Sequence, residues 1–402
     1  MLTNSLNLSA GGCNMADIVG SRDPQRPGFD ASLGRDPRLD VFRGLALVMI
    51  FINHAPRNYL EDFTNRNFGF SDAAEGFVFM SGIAAGIAYS GAFRNGDPMA
   101  GVTRVLRRVW TIYQVHILIT LIAIAVAAAA AHWFGAPDMM RKHGIWTLVR
   151  DPLGFLIGIP LLGHQIGYVN ILPLYLVLML LVPPAIWCGM RWPLIVLGLS
   201  VAMWLTAGIT GLNFPNYPQG GGWFLNPFSW QLLFIIGVLV GVAHKAGRRL
   251  VPVLPWLQWV TGGFLLLSLV WMQWPDFAAI MRGGLRAAHD AGVPVIITGF
   301  NKTFLAAPRL LHILALAYFL SSFAVVRRAC HSAFVAPFAL LGRQALPVFA
   351  LGTVLAFAIQ AVKTVTGQDF VLDTLMIGGG ILAQLGLAAA KQYWPKPRTV
   401  TV

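Results

Sequence analysis

Charged residues are scarce in this chain of 402 residues. Only 11% are Asp, Glu, Lys or Arg, while 56% are hydrophobic and the mean hydropathy is +0.66. Soluble globular domains carry about 25% charged residues. The shortage excludes an ordinary soluble enzyme and a disordered chain. Unbroken apolar runs such as 117–131 argue against the alternating strands of a transmembrane β-barrel, so we predict an all-α integral membrane protein.

Cysteine and acidic residues are also few. The three cysteines have no metal-ligand spacing, and their odd number argues against a disulfide framework, so we predict no metal site. Sixteen acidic residues face 29 Lys and Arg, which gives a net charge of +13. In a membrane protein this surplus is typical of helix ends beside anionic lipids, and we expect no nucleic-acid partner. A second interpretation is that part of the surplus binds an anionic ligand.

The apolar runs predict about ten transmembrane helices in one bundle, since a span needs about 20 residues. The predicted spans are 39–57, 73–93, 106–134, 168–188, 192–210, 228–245, 252–274, 307–327, 336–361 and 371–391. Segment 152–163 is too short to span, and we predict that it is interfacial or re-entrant. These helices form one domain over 38–391, between a disordered tail at 1–37 and a short tail at 392–402.

The distribution of Lys and Arg favours a cytoplasmic location for both tails. With that orientation, 17 basic residues lie on the inner side and 10 on the outer side, and basic loops favour the cytoplasm. Three long loops, 135–167, 211–227 and 275–306, then lie outside. We predict that they form a roof that faces a ligand.

The first span carries polar residues where lipid is expected. Arg43 and His54 are eleven residues apart, about 16 Å along a helix and close to three full turns, so they share one face. Asn53 precedes the histidine. Charges within spans are costly and usually functional. The alternative is that Arg43 extends to the headgroups and His54 only ends the helix.

Two further groups of charges lie at helix starts. Glu75 opens the second span, where it either caps the helix or pairs with His54. The third span opens with Arg104, Arg107 and Arg108. These arginines are either topology signals or ligands for a nucleotide or pyrophosphate. The second role is chemically suitable because guanidinium binds phosphate through two hydrogen bonds. The sequence contains no Walker A motif and no Rossmann glycine pattern.

Several blocks together resemble the OpgC family of transmembrane acyltransferases over residues 35–395. They are RDPRLDVFRGLA at 35–46, FSDAAEGFVFMSG at 70–82, NKT at 301–303, RLLH at 309–312 and LGRQALPVF at 341–349. The resemblance implies a ten-span protein of the bacterial inner membrane that adds succinyl groups to osmoregulated periplasmic glucans. It also implies that His54 is the reactive histidine and that Arg43 and the third-span arginines bind cytoplasmic succinyl-CoA.

This resemblance leaves the role of His54 open between general base and acyl-carrying nucleophile, and we favour the base. Glu75 is then expected to orient the imidazole, and Asn53 to donate to the oxyanion. A succinyl carboxylate needs a cation in the outer half, for which Lys302, Arg309 and Arg343 are candidates, and Trp230 is a further candidate for substrate binding.

Succinyl-CoA is a substrate in this interpretation, and we expect no permanently bound cofactor. The oligomeric state stays open, a homo-oligomer included. The alternative function is a transporter or flippase of a glycan or lipid intermediate, although the sequence shows no inverted repeat of broken helices.

Overall fold

The computed structural model describes residues 36–394, and the named secondary-structure elements in that range are all helices. The predicted tails at 1–37 and 392–402 lie almost wholly outside the described residues. The first nine helices are α1 (Pro37–His54), α2 (Ala73–Arg94), α3 (Pro98–Trp133), α4 (Asp138–Arg141), α5 (Thr147–Arg150), α6 (Pro152–Gly158), α7 (Ile171–Leu180), α8 (Val182–Gly189) and α9 (Pro193–Thr210).

The second half of the chain continues the all-helical pattern. Its helices are α10 (Pro227–Lys245), α11 (Pro255–Gln273), α12 (Pro275–Asp290), α13 (Val295–Thr298), α14 (Ala307–Ser322), α15 (Ala324–Ala329), α16 (Ala336–Arg343), α17 (Ala345–Thr366) and α18 (Phe370–Tyr393). Proline occupies one of the first two positions of most long helices, where its missing N–H costs nothing.

The prediction of a multi-pass helical membrane protein is confirmed. Within residues 36–394, seven helices are long and apolar enough to cross a bilayer, and the total is eight if α7 and α8, bent by 43°, form one span. The other two predicted spans are also helical: α1 carries three charged side chains in 18 residues, and α14 has only 16 residues. Helix α6, within the segment predicted not to span, is seven residues long.

Helices α2 and α10 form the most intimate pair of the bundle. A Cβ added at Gly82 would overlap the carbonyl oxygen of Phe234, and one at Gly237 would overlap that of Phe79. Gly86 and Gly241 repeat this arrangement one turn further along. Small residues let helix backbones approach closely, and van der Waals packing then holds the pair together.

Helix α1 makes a similar contact with α16. A Cβ at Gly44 would overlap the carbonyl of Phe338, and one at Gly342 would overlap the carbonyl of Asp40. The chain leaves helical geometry at Gln344 before α17 begins, so the predicted span 336–361 is two helices. The short α16 therefore lies against the first half of α1.

A buried ion pair joins α17 to α18. The ammonium of Lys363 donates to both carboxylate oxygens of Asp373 at 2.6 Å and to the carbonyl of Arg57 at 3.0 Å. Both side chains are almost fully buried. The pair fixes the segment that follows α1 against the last two helices.

Candidate active site

Two of the predicted donor-binding arginines line one narrow cavity inside the bundle. Arg43 of α1 and Arg108 of α3 both face it, together with Tyr175 of α7 and Ser81 of α2. The guanidinium of Arg43 lies 6.0 Å from the centre of the Phe77 ring, which is within range of a cation–π contact. A cavity with cations and an aromatic hydroxyl on its wall suits an anionic ligand with an apolar extension.

The other two arginines of the third span are placed differently. Arg104 lies one turn before Arg108 and lines a separate surface groove at the same end of the bundle. Arg107 is exposed and lines neither the cavity nor the groove. The structure therefore brings together Arg43 and Arg108, places Arg104 beside them, and leaves Arg107 on the outer surface of α3.

The start of α7 connects the cavity wall to the histidine through the chain. Ile171 and Leu172 line it, and Tyr168 lies three residues before Ile171. The Tyr168 ring packs on the imidazole of His54, with centroids 4.0 Å apart. An anion held at Arg43 would have its far end near this pair, because His54 lies about 16 Å further along α1.

His54 is the last residue of α1 and is partly buried. Its backbone carbonyl accepts a hydrogen bond from Nε2 of Gln360 in α17 at 3.0 Å. Lys302, Asp72 and His143 lie close enough to act electrostatically on its ring. The imidazole thus stands between the arginine cavity and a group of charged residues at the other end of the bundle.

His143 and Tyr168 are site residues that the sequence analysis missed. His143 Nε2 lies 2.7 Å from Oε1 of Gln360, and its ring centroid lies 4.8 Å from that of Tyr168. Because Gln360 uses its amide N–H on His54, its oxygen accepts and His143 must donate from Nε2. Burial lowers the pKa of His143, which is consistent with a neutral ring.

Both missed residues have a strained backbone. His143 has φ 58° and Tyr168 has φ 69°, a left-handed conformation that L side chains with a Cβ adopt at a cost. A Cβ at Gly167 would crowd the His143 ring, so this neighbour must lack a side chain. Neither loop carries a sequence pattern that signals a site; only the positions of the two aromatic rings in space reveal it.

Asn53 precedes His54 at the end of α1, and its role as an oxyanion donor stays a prediction. Its side-chain oxygen accepts a hydrogen bond from the hydroxyl of Thr64 at 2.8 Å. Thr64 belongs to the loop of two short 3₁₀ turns, Tyr59–Phe63 and Asn65–Asn67, that follows α1. This hydrogen bond orients the carboxamide so that its amino group points away from Thr64.

Glu75 binds an arginine rather than the histidine. Its carboxylate accepts from Nε of Arg309 at 2.7 Å and from the backbone N–H of Asp72, which completes a capping box at the start of α2. In the described part of the chain no hydrogen bond joins Glu75 to His54. No direct hydrogen bond therefore supports the expectation that Glu75 orients the imidazole of His54.

Lys302 and Arg309, two predicted substrate cations, are already paired. The Lys302 ammonium lies 2.5 Å from Oδ2 of Asp72, and the Arg309 guanidinium lies 3.3 Å from the same oxygen and 2.5 Å from Glu75 Oε1. Next to this group, the hydroxyl of Ser71 lies 2.7 Å from Nδ1 of His312. Two cations and two carboxylates form what we call the outer tetrad, which is formally neutral when all four groups are charged.

Trp230 does not face a ligand. It is fully buried, and its indole N–H donates to the carbonyl of Lys302 at 3.0 Å. Trp204 donates in the same way to the carbonyl of Leu305, whose φ is 48°. The expectation of direct substrate contact by Trp230 is thus corrected: the indole fixes the backbone that presents Lys302.

Arg343 lies at the opposite end of the bundle from the outer tetrad, contrary to the sequence-based expectation. Its Nε is 3.5 Å from Oδ2 of Asp40, near the start of α1. The reason is the break at Gln344, which ends α16 while that helix still lies against the first half of α1. Arg343 therefore belongs with Arg43 by position, rather than with Lys302 and Arg309.

Several buried polar atoms of α2 and α3 have no hydrogen-bond partner in the described structure. Within residues 36–394, Ser81 Oγ, both ring nitrogens of His116 and Thr120 Oγ1 lack hydrogen-bond partners. Ser81 lies on the cavity wall, and His116 and Thr120 are one turn apart on the buried face of α3. Buried polar groups are normally paired, so these atoms are available to a ligand or to water.

The fold and these sites define a class: a polytopic helical membrane protein with two arginines on the wall of a cavity inside the bundle and a partly buried histidine on the same helix as one of them. The sequence matches the OpgC protein family over residues 35–396, and the chain belongs to that family. OpgC is a family of succinyltransferases, and membership implies succinylation of a glucan. Searches of curated proteins and of solved structures found no match.

Proposed function

We propose that the chain transfers a succinyl group from cytoplasmic succinyl-CoA to hydroxyls of periplasmic osmoregulated glucans in the bacterial inner membrane. The observation that carries the proposal is the cavity that contains Arg43 and Arg108 and is lined by Ile171, close to the His54–Tyr168 contact. Phosphates bound at the arginines put the acyl end of the donor about 16 Å deeper, at the imidazole.

In the reaction, neutral His54 accepts the proton of a glucan hydroxyl while the oxygen attacks the thioester carbonyl carbon. The tetrahedral oxyanion lies near the amide of Asn53, which is a donor of the required kind. The carbon–sulfur bond then breaks, the succinyl ester stays on the glucan, and the CoA thiolate takes the proton back from His54. A nucleophilic His54 would instead carry the succinyl group between two steps.

The cations expected to bind the succinyl carboxylate are already paired with acidic side chains. Lys302 and Arg309 are the nearby cations, but Asp72 and Glu75 already neutralise them in the outer tetrad. The carboxylate would share these cations as an additional acceptor. Family membership is the main support for succinyl as the transferred group.

The sidedness of the reaction depends on topology. The 17 basic residues on one side against 10 on the other favour cytoplasmic tails at 1–37 and 392–402 and a cytoplasmic arginine end. Arg343 adds a cation to that end. Reporter fusions at either terminus test this orientation, and a periplasmic location of a terminus would contradict it.

The decisive experiment uses the purified protein in lipid nanodiscs with succinyl-CoA. We expect free CoA to appear only when glucan is added, with an equal amount of succinyl ester on the glucan. His54→Gln is the matched control and should release none. Wild-type protein that moves glucan across vesicles but never releases CoA would support the transporter alternative, and acetyl-CoA acting as well as succinyl-CoA would contradict the assigned acyl group.

A further inference from the structure

We propose that a surface groove beside the arginine cavity binds the 3′-phosphoadenosine part of the acyl donor, with Lys245 contacting the 3′-phosphate. The groove lies where α2 ends, α3 begins and α10 ends. This inference rests on the proposed function, since it assigns the nucleotide end of the same donor. Its lining residues are Ile87, Ala88, Gly91, Ala92, Asn95, Asp97, Ala100, Arg104 and Lys245.

The floor of the groove is flat and apolar. Ile87, Ala88, Gly91 and Ala92 are spaced so that they share one face of α2, and three of the four are small. A Cβ placed on Gly91 would meet nothing within 4 Å, so the space above this residue is open. A planar base can lie on such a surface, because Ile87 is the one large side chain among these four residues.

Two further lining residues of the groove are polar and carry no positive charge. Asn95 presents a carboxamide, and Asp97 presents a carboxylate that also caps α3 by accepting from the N–H of Ala100 at 3.0 Å. A carboxylate repels phosphate but accepts hydrogen bonds from an exocyclic amino group. The adenine edge therefore belongs on this side, and the phosphates belong on the other.

Two cations mark the phosphate side, Arg104 and Lys245. The guanidinium of Arg94 donates to the carbonyls of Lys245 at 3.2 Å and Val242 at 3.5 Å, which fixes the end of α10 beside α2. No carboxylate pairs with the Lys245 ammonium anywhere in residues 36–394. An exposed ammonium without a protein partner suits a monoester phosphate, which lysine binds as a point charge.

The groove and the cavity each have one arginine of α3 on their walls. Arg104 and Arg108 are one turn apart, about 6 Å along the helix, and both lie close enough to Tyr89 to act on its hydroxyl. A pyrophosphate is well suited to bridge two guanidiniums at this spacing. The order of sites then follows the order of groups in the donor: adenine on α2, 3′-phosphate at Lys245, pyrophosphate at Arg104 and Arg108, thioester at His54.

The test compares CoA with dephospho-CoA, which lacks only the 3′-phosphate, in binding to the purified full chain. We expect wild type to bind CoA about tenfold more tightly, since a charge-assisted hydrogen bond contributes about that factor. Lys245→Gln should weaken CoA binding about tenfold and leave dephospho-CoA binding unchanged. Lys391→Gln is the matched control, because it lies at the end of α18, which packs on α16 and α17, and it should change neither constant.

A second variant tests the floor without removing charge. Gly91→Leu fills the open space above α2 and should weaken the binding of both ligands, while leucine favours the helix and preserves folding. Equal binding of the two ligands by wild type, or equal losses for both in Lys245→Gln, would overturn the groove assignment alone. A complete absence of CoA binding and of turnover would overturn the proposed function as well.

Discussion

The imidazole of His54 and the phenol ring of Tyr168 lie in contact, with centroids 4.0 Å apart and planes tilted by 36°. The two residues are far apart in sequence, and the left-handed backbone of Tyr168 is what turns its ring toward α1. A conformation of this kind costs about 1–3 kcal/mol and persists where surrounding contacts enforce it. Here the ring of His143 packs on Tyr168, and the side chain of Gln360 holds that ring and the end of α1 through its two hydrogen bonds.

We expect Tyr168→Phe to keep most of the transferase activity, because the ring that packs on His54 remains. Tyr168→Gly relieves the strained backbone but removes the ring, so the imidazole loses its fixed orientation. Its kcat should fall about 10- to 100-fold, since catalysis depends steeply on geometry. The KM for succinyl-CoA should stay unchanged, and a loss confined to KM would contradict a positioning role.

His54→Ala should lower transfer by about 10²–10⁴-fold, the usual contribution of a general base. CoA binding and thermal stability should stay close to wild type, because the donor phosphates bind about 16 Å away. Mass spectrometry of the wild-type protein incubated with succinyl-CoA alone should show no adduct. A succinyl group trapped on His54 would establish the nucleophile instead, and an active His54→Ala protein would remove the site assignment.

Arg43→Ala and Arg108→Ala should each raise the KM for succinyl-CoA about tenfold or more, because each removes a charge-assisted phosphate contact. The wild-type affinity should fall as salt is raised, and less steeply in these variants. Arg107→Ala is the control, since this exposed side chain lines neither the arginine cavity nor the groove. If all three variants bind CoA like wild type, the arginines are topology signals only.

Gly82→Val should disrupt the bundle, because its Cβ would overlap the carbonyl of Phe234 in α10. Separation of α2 from α10 removes backbone packing that no side-chain rearrangement replaces. We expect a clear fall in the melting temperature in detergent. Gly198→Val on α9 is the control, since a Cβ there meets nothing within 4 Å, and equal melting temperatures for the two variants would contradict the packing argument.

The buried pair of Lys363 and Asp373 allows a double substitution test. Lys363→Met leaves the Asp373 carboxylate buried without its partner and should destabilise the protein by about 3–5 kcal/mol. Lys363→Met combined with Asp373→Leu should recover most of the loss, because no charge is then left unpaired. Denaturation curves give the free energies of unfolding of the single and double variants. A double variant no more stable than Lys363→Met would show that the pair has another role.

The spans could be predicted because each depends on local composition. All ten predicted segments lie on helices, and most boundaries agree within a few residues. The break at Gln344 was not predicted, since the run from 336 to 361 is apolar apart from Arg343, Gln344, Thr353 and Gln360, and the break accompanies the close contact of Gly342 with α1. The expected position of Arg343 was wrong for the same reason.

Site residues that share one helix could be predicted from the sequence, whereas contacts between distant parts of the chain could not. Arg43 and His54 share a helix, so spacing alone places them on one face. The partners of Glu75 and His54 come from distant parts of the chain: Arg309 is 234 positions from Glu75, and Gln360 is 306 positions from His54. Such contacts depend on how the helices are arranged in three dimensions, which hydrophobic periodicity does not encode.

The glycine contacts between α2 and α10 have a mechanical consequence. Two helices that touch through their backbones cannot slide or separate by changing side-chain rotamers. The pair therefore behaves as one rigid unit along the length of the bundle. This rigid pair of helices carries the outer tetrad residues Asp72 and Glu75 at one end and Lys245 at the other. Any widening of the cavity that admits a bulky substrate must therefore come from the other helices that line it, α1, α3, α7 and α17.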